Sequence, residues 1–229
     1  MTNAATMQKL AAANAAAALV QDGMVVGLGS GSTAALAVEA IGQRVACGLR
    51  IVGIPTSEAT AAQARRCNIA LTSLNENPCI DLTIDGADEV EKGTLHLIKG
   101  HGGALLREKI VASSSSRFVV IADESKLVQR LGARFTVPVE VERFGWMATA
   151  QKLERLGCGT SIRRNDQGVE FLTDGQNYIL DCSFGLIADP PALARAIDAV
   201  VGVIEHGIFP GMTSQALIAG GSGVQVLKA

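Results

Sequence analysis

The feature that most restricts the fold is a repeated alternation of short apolar runs and helix-forming stretches through the first half of the chain. Residues 24–28, 49–54, 79–84 and 118–122 read as buried strands, with helices at 33–41, 57–67 and 104–112. Pro55 stops the second strand, and Ser57 is placed to cap the helix after it. Strands that are apolar throughout and linked by helices require a parallel sheet covered on both faces, with crossovers of one hand. Such sheets take their ligands beyond the carboxyl ends of the strands. The alanine-rich stretch 11–20 is broken by Asn14 and runs into Gln21-Asp22-Gly23, so it reads as a packed helix and not as a leader core.

After about Leu131 the texture changes. Residues 144–156 read as a helix, and 161–164, 169–172 and 178–182 as short strands separated by turns at 165–168 and 174–175. A further helix at 192–201 is entered through Pro190-Pro191, and residues 215–219 and 224–227 return to strand texture. The pattern predicts an α/β protein: a Rossmann-like parallel sheet with helices on both faces, formed by residues 1–131 and 208–229. A smaller α+β, ferredoxin-like lid domain is expected over residues 132–207.

Composition narrows the partners. With 229 residues, 48% hydrophobic and 18% charged, the chain can bury a sizeable core. A net charge of -2 and only 3% aromatics give no footprint for nucleic acid. No run is apolar and long enough to span a membrane. Five scattered cysteines without a Cys-x-x-Cys pair read as reduced thiols of a cytoplasmic protein. Three scattered histidines predict no local metal site, and no metal or cofactor is expected. The expected partner is a small molecule.

Three segments carry chemistry. Gly27-Leu28-Gly29-Ser30-Gly31-Ser32-Thr33 joins a strand to a helix, where free N–H groups and hydroxyls suit a phosphate. A dinucleotide site would want glycine at Ser32 and an acidic residue in place of Pro55; a tight turn without a ligand remains the plain alternative. Asp81-Leu82-Thr83-Ile84-Asp85-Gly86-Ala87-Asp88-Glu89 ends a strand with two carboxylates, Asp85 and Asp88, which fit acid–base work on hydroxyls or merely cap a turn. Lys99-Gly100-His101-Gly102-Gly103 precedes a helix carrying Glu108, a combination suited to developing negative charge. Between Arg107 and Lys109, Glu108 also reads as a surface ion-pair residue, and Lys126 in Asp123-Glu124-Ser125-Lys126 as a solvated one.

In order and spacing these segments resemble the A-type ribose-5-phosphate isomerases along nearly the whole chain. The Asp-Gly-Ala-Asp-Glu turn and the lysine/glycine loop followed by Arg-Glu-Lys carry the resemblance. It implies an aldose–ketose isomerase of pentose phosphate metabolism, working without a cofactor on ribose 5-phosphate and ribulose 5-phosphate as a homodimer or a dimer of dimers. It implies Glu108 as the general base between C2 and C1, Asp85 in ring opening, and Asp88 and Lys99 on the sugar hydroxyls. Ser30, Gly31, Ser32, Thr33, Lys126 and Lys9 would surround the phosphate, while Gly86, Ala87, Gly100, His101 and Gly102 line the sugar. The chain departs from the pattern at His101, where the family carries glycine, which bears on the backbone angles of that loop. The alternative reading, a sugar-phosphate effector domain without catalysis, has no use for Glu108.

Overall fold

The computed structural model describes residues 4–228. The chain begins with α1 (Ala4–Ala17), β1 (Val25–Leu28), α2 (Ser32–Ala46), β2 (Val52–Pro55), α3 (Glu58–Arg66), β3 (Ala70–Leu71) and β4 (Leu82–Gly86). Next come β5 (Glu89–Glu91), β6 (Leu97–Ile98), α4 (Leu105–Ser113), β7 (Phe118–Asp123), one tight helical turn (Glu124–Lys126), β8 (Leu127–Val128) and β9 (Val137–Val141). The rest comprises α5 (Trp146–Glu154), β10 (Gly159–Ile162), β11 (Tyr178–Ser183), α6 (Pro190–Asp198), β12 (Val203–His206), β13 (Ile208–Phe209), β14 (Gln215–Gly220) and β15 (Gly223–Lys228). Two compact units result. The first runs up to Ala87 and includes Arg107–Leu127 and the chain from Met212; the second comprises Asp88–Leu106 and Val128–Gly211.

The first unit is built on a sheet of order β15-β14-β7-β4-β1-β2-β3. Its pairings are parallel except β15, which folds back antiparallel on β14. From β1 the chain moves outward to β2 and β3, then returns to β4 on the other side of β1. Helices cover both faces. Ala12, Ala13 and Ala16 of α1 and Val38 and Ile41 of α2 pack on Val26, Leu28, Ile84 and Ile121. The small alanines let α1 lie close to the sheet while keeping high helix propensity. Val111 of α4 packs with Ile54 and Ile80 on the opposite face, which Gly27 shares. Each buried Leu, Ile or Val contributes about 1.5–3 kcal/mol of burial.

The boundaries differ from expectation where polar groups intervene. The strand expected from residue 79 begins at Leu82, because Asp81 turns its carboxylate to the N–H of Val25 (2.8 Å) and Ile80 makes only an isolated bridge with Ser115. Ser57 caps α3 as expected, accepting the N–H of Thr60 at 3.1 Å.

The second unit contains an antiparallel sheet of order β10-β11-β9-β12 and a small sheet of order β13-β6-β5-β8. Leu153 of α5 and Ile197 of α6 pack with Val139, Val141, Leu180 and Cys182. Asp189 caps α6 through the N–H of Ala192 (2.9 Å), just ahead of Pro190-Pro191. Residues 169–172 form no strand and make only a bridge between Arg164 and Glu170. Val169 and Leu172 are exposed, so no core rewards a strand there, and the side chain of Asn165 takes the amides of Gln167 and Val169 instead. β9 carries Pro138 and Glu140, which break the apolar pattern. Glu140 is nonetheless buried, accepting hydrogen bonds from Thr173 Oγ1 and Asn177 Nδ2, both at 2.8 Å. Among the described residues no helix is long and apolar enough to cross a membrane.

All five cysteines are free thiols. Cys47 and Cys79 are exposed, whereas Cys158 and Cys182 are buried together in the second unit's core. The hydrogen bond with Cys158 and burial push the Cys182 thiol upward from its ordinary range, so it stays protonated and unreactive. Iodoacetamide on the native protein near neutral pH should label Cys47 and Cys79 promptly and Cys182 only after denaturation. Mass spectrometry showing early alkylation of Cys182 would contradict this packing.

Candidate active site

The reversal of strand order lies between β1 and β4, and the residues that follow those two strands meet there. Asp85, near the end of β4, is fully buried. Its Oδ1 accepts the N–H of Ser30 (3.0 Å) and of Gly86 (2.7 Å). Gly29 makes this approach possible, since a Cβ there would stand 2.2 Å from Asp85 Oδ1. The Ser30 hydroxyl turns into a cluster with Thr56, Ser57 and Thr60 (2.7, 2.8 and 3.1 Å). Thr60 Oγ1 donates in turn to the carbonyl of Gly29 at 3.0 Å, and Thr56 Oγ1 to that of Leu28 at 3.1 Å. This cluster ties the loop after β1 to the loop after β2. Ser30 is marked in the sequence by its glycine-rich loop, whereas Thr56 is marked only by the hydroxyl pair Thr56-Ser57 directly after Pro55 and Thr60 by no local signal.

The same loop opens α2. Gly31, at φ 94°, caps the helix without a side-chain acceptor, which leaves the amides of the first turn, at Ser32 and Thr33, for solvent or an anion. The ammonium of Lys9, on α1, donates to the Ser32 hydroxyl at 3.1 Å. Gln8, one residue earlier, donates to Glu124 (2.8 Å) in the tight turn that ends at Lys126. Lysine, hydroxyl and helix N-terminus together have the chemistry to receive an anion.

Glu108 lies in the first turn of α4 and is buried, at 4% exposure, although basic residues flank it on both sides. The surface ion pair is made by its neighbour: Arg107 donates to Glu58 at 2.8 Å. That contact holds the Glu58 carboxyl below its ordinary value. Glu108 is therefore not a surface ion-pair residue, because the helix turns Arg107 outward and Glu108 inward. Lys126 is half-buried rather than fully solvated.

Within the second unit, Lys99 follows β6 and is 2% exposed. Its N–H bonds the carbonyl of Gly207 (2.8 Å), and its ammonium stands 5.6 Å from the centre of the Phe209 ring. The half-buried Asp88 accepts the N–H of His101 at Oδ2 (3.1 Å). The left-handed positions of the loop fall on Gly100 (φ 101°) and Gly103 (φ 83°), so His101 occupies a place that suits an L-residue. Its ring packs edge-on to Phe135 (centres 4.9 Å apart), with Nε2 3.0 Å from the carbonyl of Thr136. The segment that leads to Phe135 is placed by Glu89, a fully buried carboxylate of the same motif as Asp85 and Asp88. Glu89 accepts the amides of Gly132 (2.7 Å), Arg134 (2.5 Å) and Phe135 (2.9 Å).

One further group of ligand-type atoms exists among the described residues. Asp198, Glu205 and His206 each bring one within 4.8 Å of the others. Nδ1 of His206 accepts the N–H of Ile208 (3.1 Å), so Nε2 carries the proton and faces Asp198 at 3.2 Å. A nitrogen that donates is not a metal ligand, and the arrangement reads as a structural contact.

The family model for ribose 5-phosphate isomerase A (phosphoriboisomerase A) matches residues 52–223. The ribose-5-phosphate isomerase A of Synechococcus sp. (strain JA-3-3Ab) is 57% identical over 221 residues, covering 96% of each chain. The solved ribose 5-phosphate isomerase A from Methanocaldococcus jannaschii superposes with a TM-score of 0.94 at 42% identity, over 97% of this chain and 99% of that one. A solved D-ribose-5-phosphate isomerase in complex with phospho-erythronic acid superposes over the whole of both chains, with a TM-score of 0.96 at 35% identity. The chain belongs to the ribose 5-phosphate isomerase A family.

Proposed function

We propose that this protein interconverts D-ribose 5-phosphate and D-ribulose 5-phosphate through an enediolate. The observation that carries this reading is the burial of Glu108 at the head of α4, where the flanking charges favour the surface. A carboxylate held out of water on a rigid helix suits a general base for a carbon-bound proton. Glu108 takes the proton from C2 of the open-chain aldose and returns it to C1, while the carbonyl oxygen gains a proton and the C2 hydroxyl loses one. Lys99 and the amides of the following glycine-rich loop stabilise the oxyanion between these transfers. Asp85 assists ring opening, and Asp88 holds sugar hydroxyls. Ser32, Thr33, Lys9 and Lys126 bind the phosphate, supported by the Lys9–Ser32 contact and the open first turn of α2. Phospho-erythronic acid, held by a solved relative, combines a phosphate with an anionic head, and both find a counterpart in this assignment.

The protein acts in the cytoplasm, to which five unpaired thiols are suited. It assembles as a homodimer or a dimer of dimers; exposed Phe144 and Val201 on the second unit favour association. Light scattering giving a monomer at micromolar concentration would rule the assembly out.

Glu108→Gln should keep the fold and the substrate affinity while lowering kcat by about 10²–10⁴-fold, the range for loss of a positioned base. Turnover near that of the unchanged protein would remove Glu108 from the mechanism, and absence of ribose 5-phosphate turnover by the unchanged protein would remove the isomerase reading.

Ser32→Ala and Lys126→Ala should raise KM for ribose 5-phosphate and also lower kcat, since binding at a remote phosphate helps align the reacting carbons. Unphosphorylated ribose should be nearly indifferent to both changes. Equal losses on the two sugars would mean that these side chains serve the fold alone.

A further inference from the structure

Arg163 has no place in the assignment above, yet its guanidinium reaches the loop that follows Lys99. Its backbone is fixed just beyond β10: its N–H bonds Ile179 O (2.8 Å), and its carbonyl accepts the N–H of Phe171 (2.9 Å). The side chain is 12% exposed. Nε donates to Asp181 Oδ2 at 3.0 Å, and Nη2 donates to Oδ1 of the same carboxylate. Asp181 on β11 thus grips one side of the planar fork and sets its orientation. The remaining nitrogen, Nη1, donates to two successive carbonyls, Gly100 O at 2.9 Å and His101 O at 3.0 Å.

A trans peptide is planar, with its C=O and N–H pointing in opposite directions. Fixing the carbonyls of Gly100 and His101 on one nitrogen therefore turns the N–H groups of His101 and Gly102 away from Arg163. The first of them does point to the opposite side, where Asp88 Oδ2 accepts it at 3.1 Å. The second, on Gly102, is aimed away from the guanidinium by the same geometry. Gly100 O also accepts the N–H of Gly103 (3.0 Å), so the turn closes on the carbonyl that Arg163 holds.

We propose that Arg163, clamped by Asp181, is a positioning residue for the isomerisation: it locks two peptide planes so that the N–H of His101 holds Asp88 in place and the N–H of Gly102 is set in advance to meet the charge of the enediolate. This rests on the isomerase reading and on the role given there to the loop. Preset donors act on the transition state more than on the bound sugar, so their loss appears in kcat and not in KM. A lysine cannot replace the fork, because one ammonium cannot hold a bidentate carboxylate and two carbonyls together.

The test compares Arg163→Met and Arg163→Lys with the unchanged enzyme in steady-state turnover of ribose 5-phosphate, with inorganic phosphate as a competing ligand and thermal melting as a control of folding. Both variants should lose about 10–10³-fold in kcat, as for an oxyanion donor set astray, with KM within about threefold. Inhibition by inorganic phosphate should stay unchanged, because the phosphate anchor lies elsewhere in the chain. If Arg163→Met fails to fold, Arg163→Lys, which keeps a cation beside Asp181, supplies the same reading. A folded variant with kcat within about twofold of the unchanged enzyme would overturn the proposal, as would a parallel weakening of phosphate binding and turnover. Failure of the isomerase reading itself would look different, since the unchanged enzyme would then not turn over ribose 5-phosphate at all.

Discussion

A carboxylate cut off from water needs hydrogen-bond donors fixed by the fold, and Asp85 finds them on two chain segments. One is the amide of Gly86, immediately after it; the other is the amide of Ser30, at the end of a neighbouring strand. The second bond forms only because β1 and β4 are parallel neighbours with Leu28 level with Ile84. It also forms only because Gly29 has no Cβ to strike the carboxylate. Losing such donors typically costs about 1–3 kcal/mol for each buried polar group left unmet. The bond therefore fixes the loop after β1, and with it Gly31, the start of α2 and the hydroxyl that Lys9 meets. The open first turn of α2 beside Lys9 is a consequence of how one aspartate is accommodated.

Much of this was legible in the sequence, and for a physical reason. Residues buried on both faces of a parallel sheet leave continuous apolar runs, and glycines mark where the backbone must come close. Asp85, Asp88, Lys99 and Glu108 stood out through motif and resemblance alike. Local spacing did not show that Glu108 is buried. Arg107 and Lys109 beside it favour the surface, and only the facing of α4 decides otherwise. Strands of two or three residues, such as β3, β6 and β13, leave no periodicity to read. β9 was hidden by Pro138 and Glu140, because a buried carboxylate answered by distant Thr173 and Asn177 looks from the sequence like a break in the core. The roles of Thr56, Thr60 and Arg163 likewise depend on partners far along the chain.

The two loops for which anion binding is proposed are held in different ways, and each way fits its task. The loop after β1 is secured by hydroxyls passing hydrogen bonds from Ser30 through Ser57 and Thr60 to the carbonyl of Gly29. Short side chains lose little rotamer freedom when ordered, so the loop is rigid at small entropic cost. The loop after Lys99 is secured by charge, with Asp88 on one side and the Arg163–Asp181 pair on the other. A loop set before the ligand arrives spends no binding energy on its own ordering.

Glu89 has a meaning of its own. The amides of Gly132, Arg134 and Phe135 converge on the two oxygens of one carboxylate, in the kind of concavity that captures phosphate or carboxylate ions in many proteins. Here the chain fills the cavity with its own side chain. The motif that carries Asp85 and Asp88 thereby also sets the course of the chain from Gly132 to Phe135.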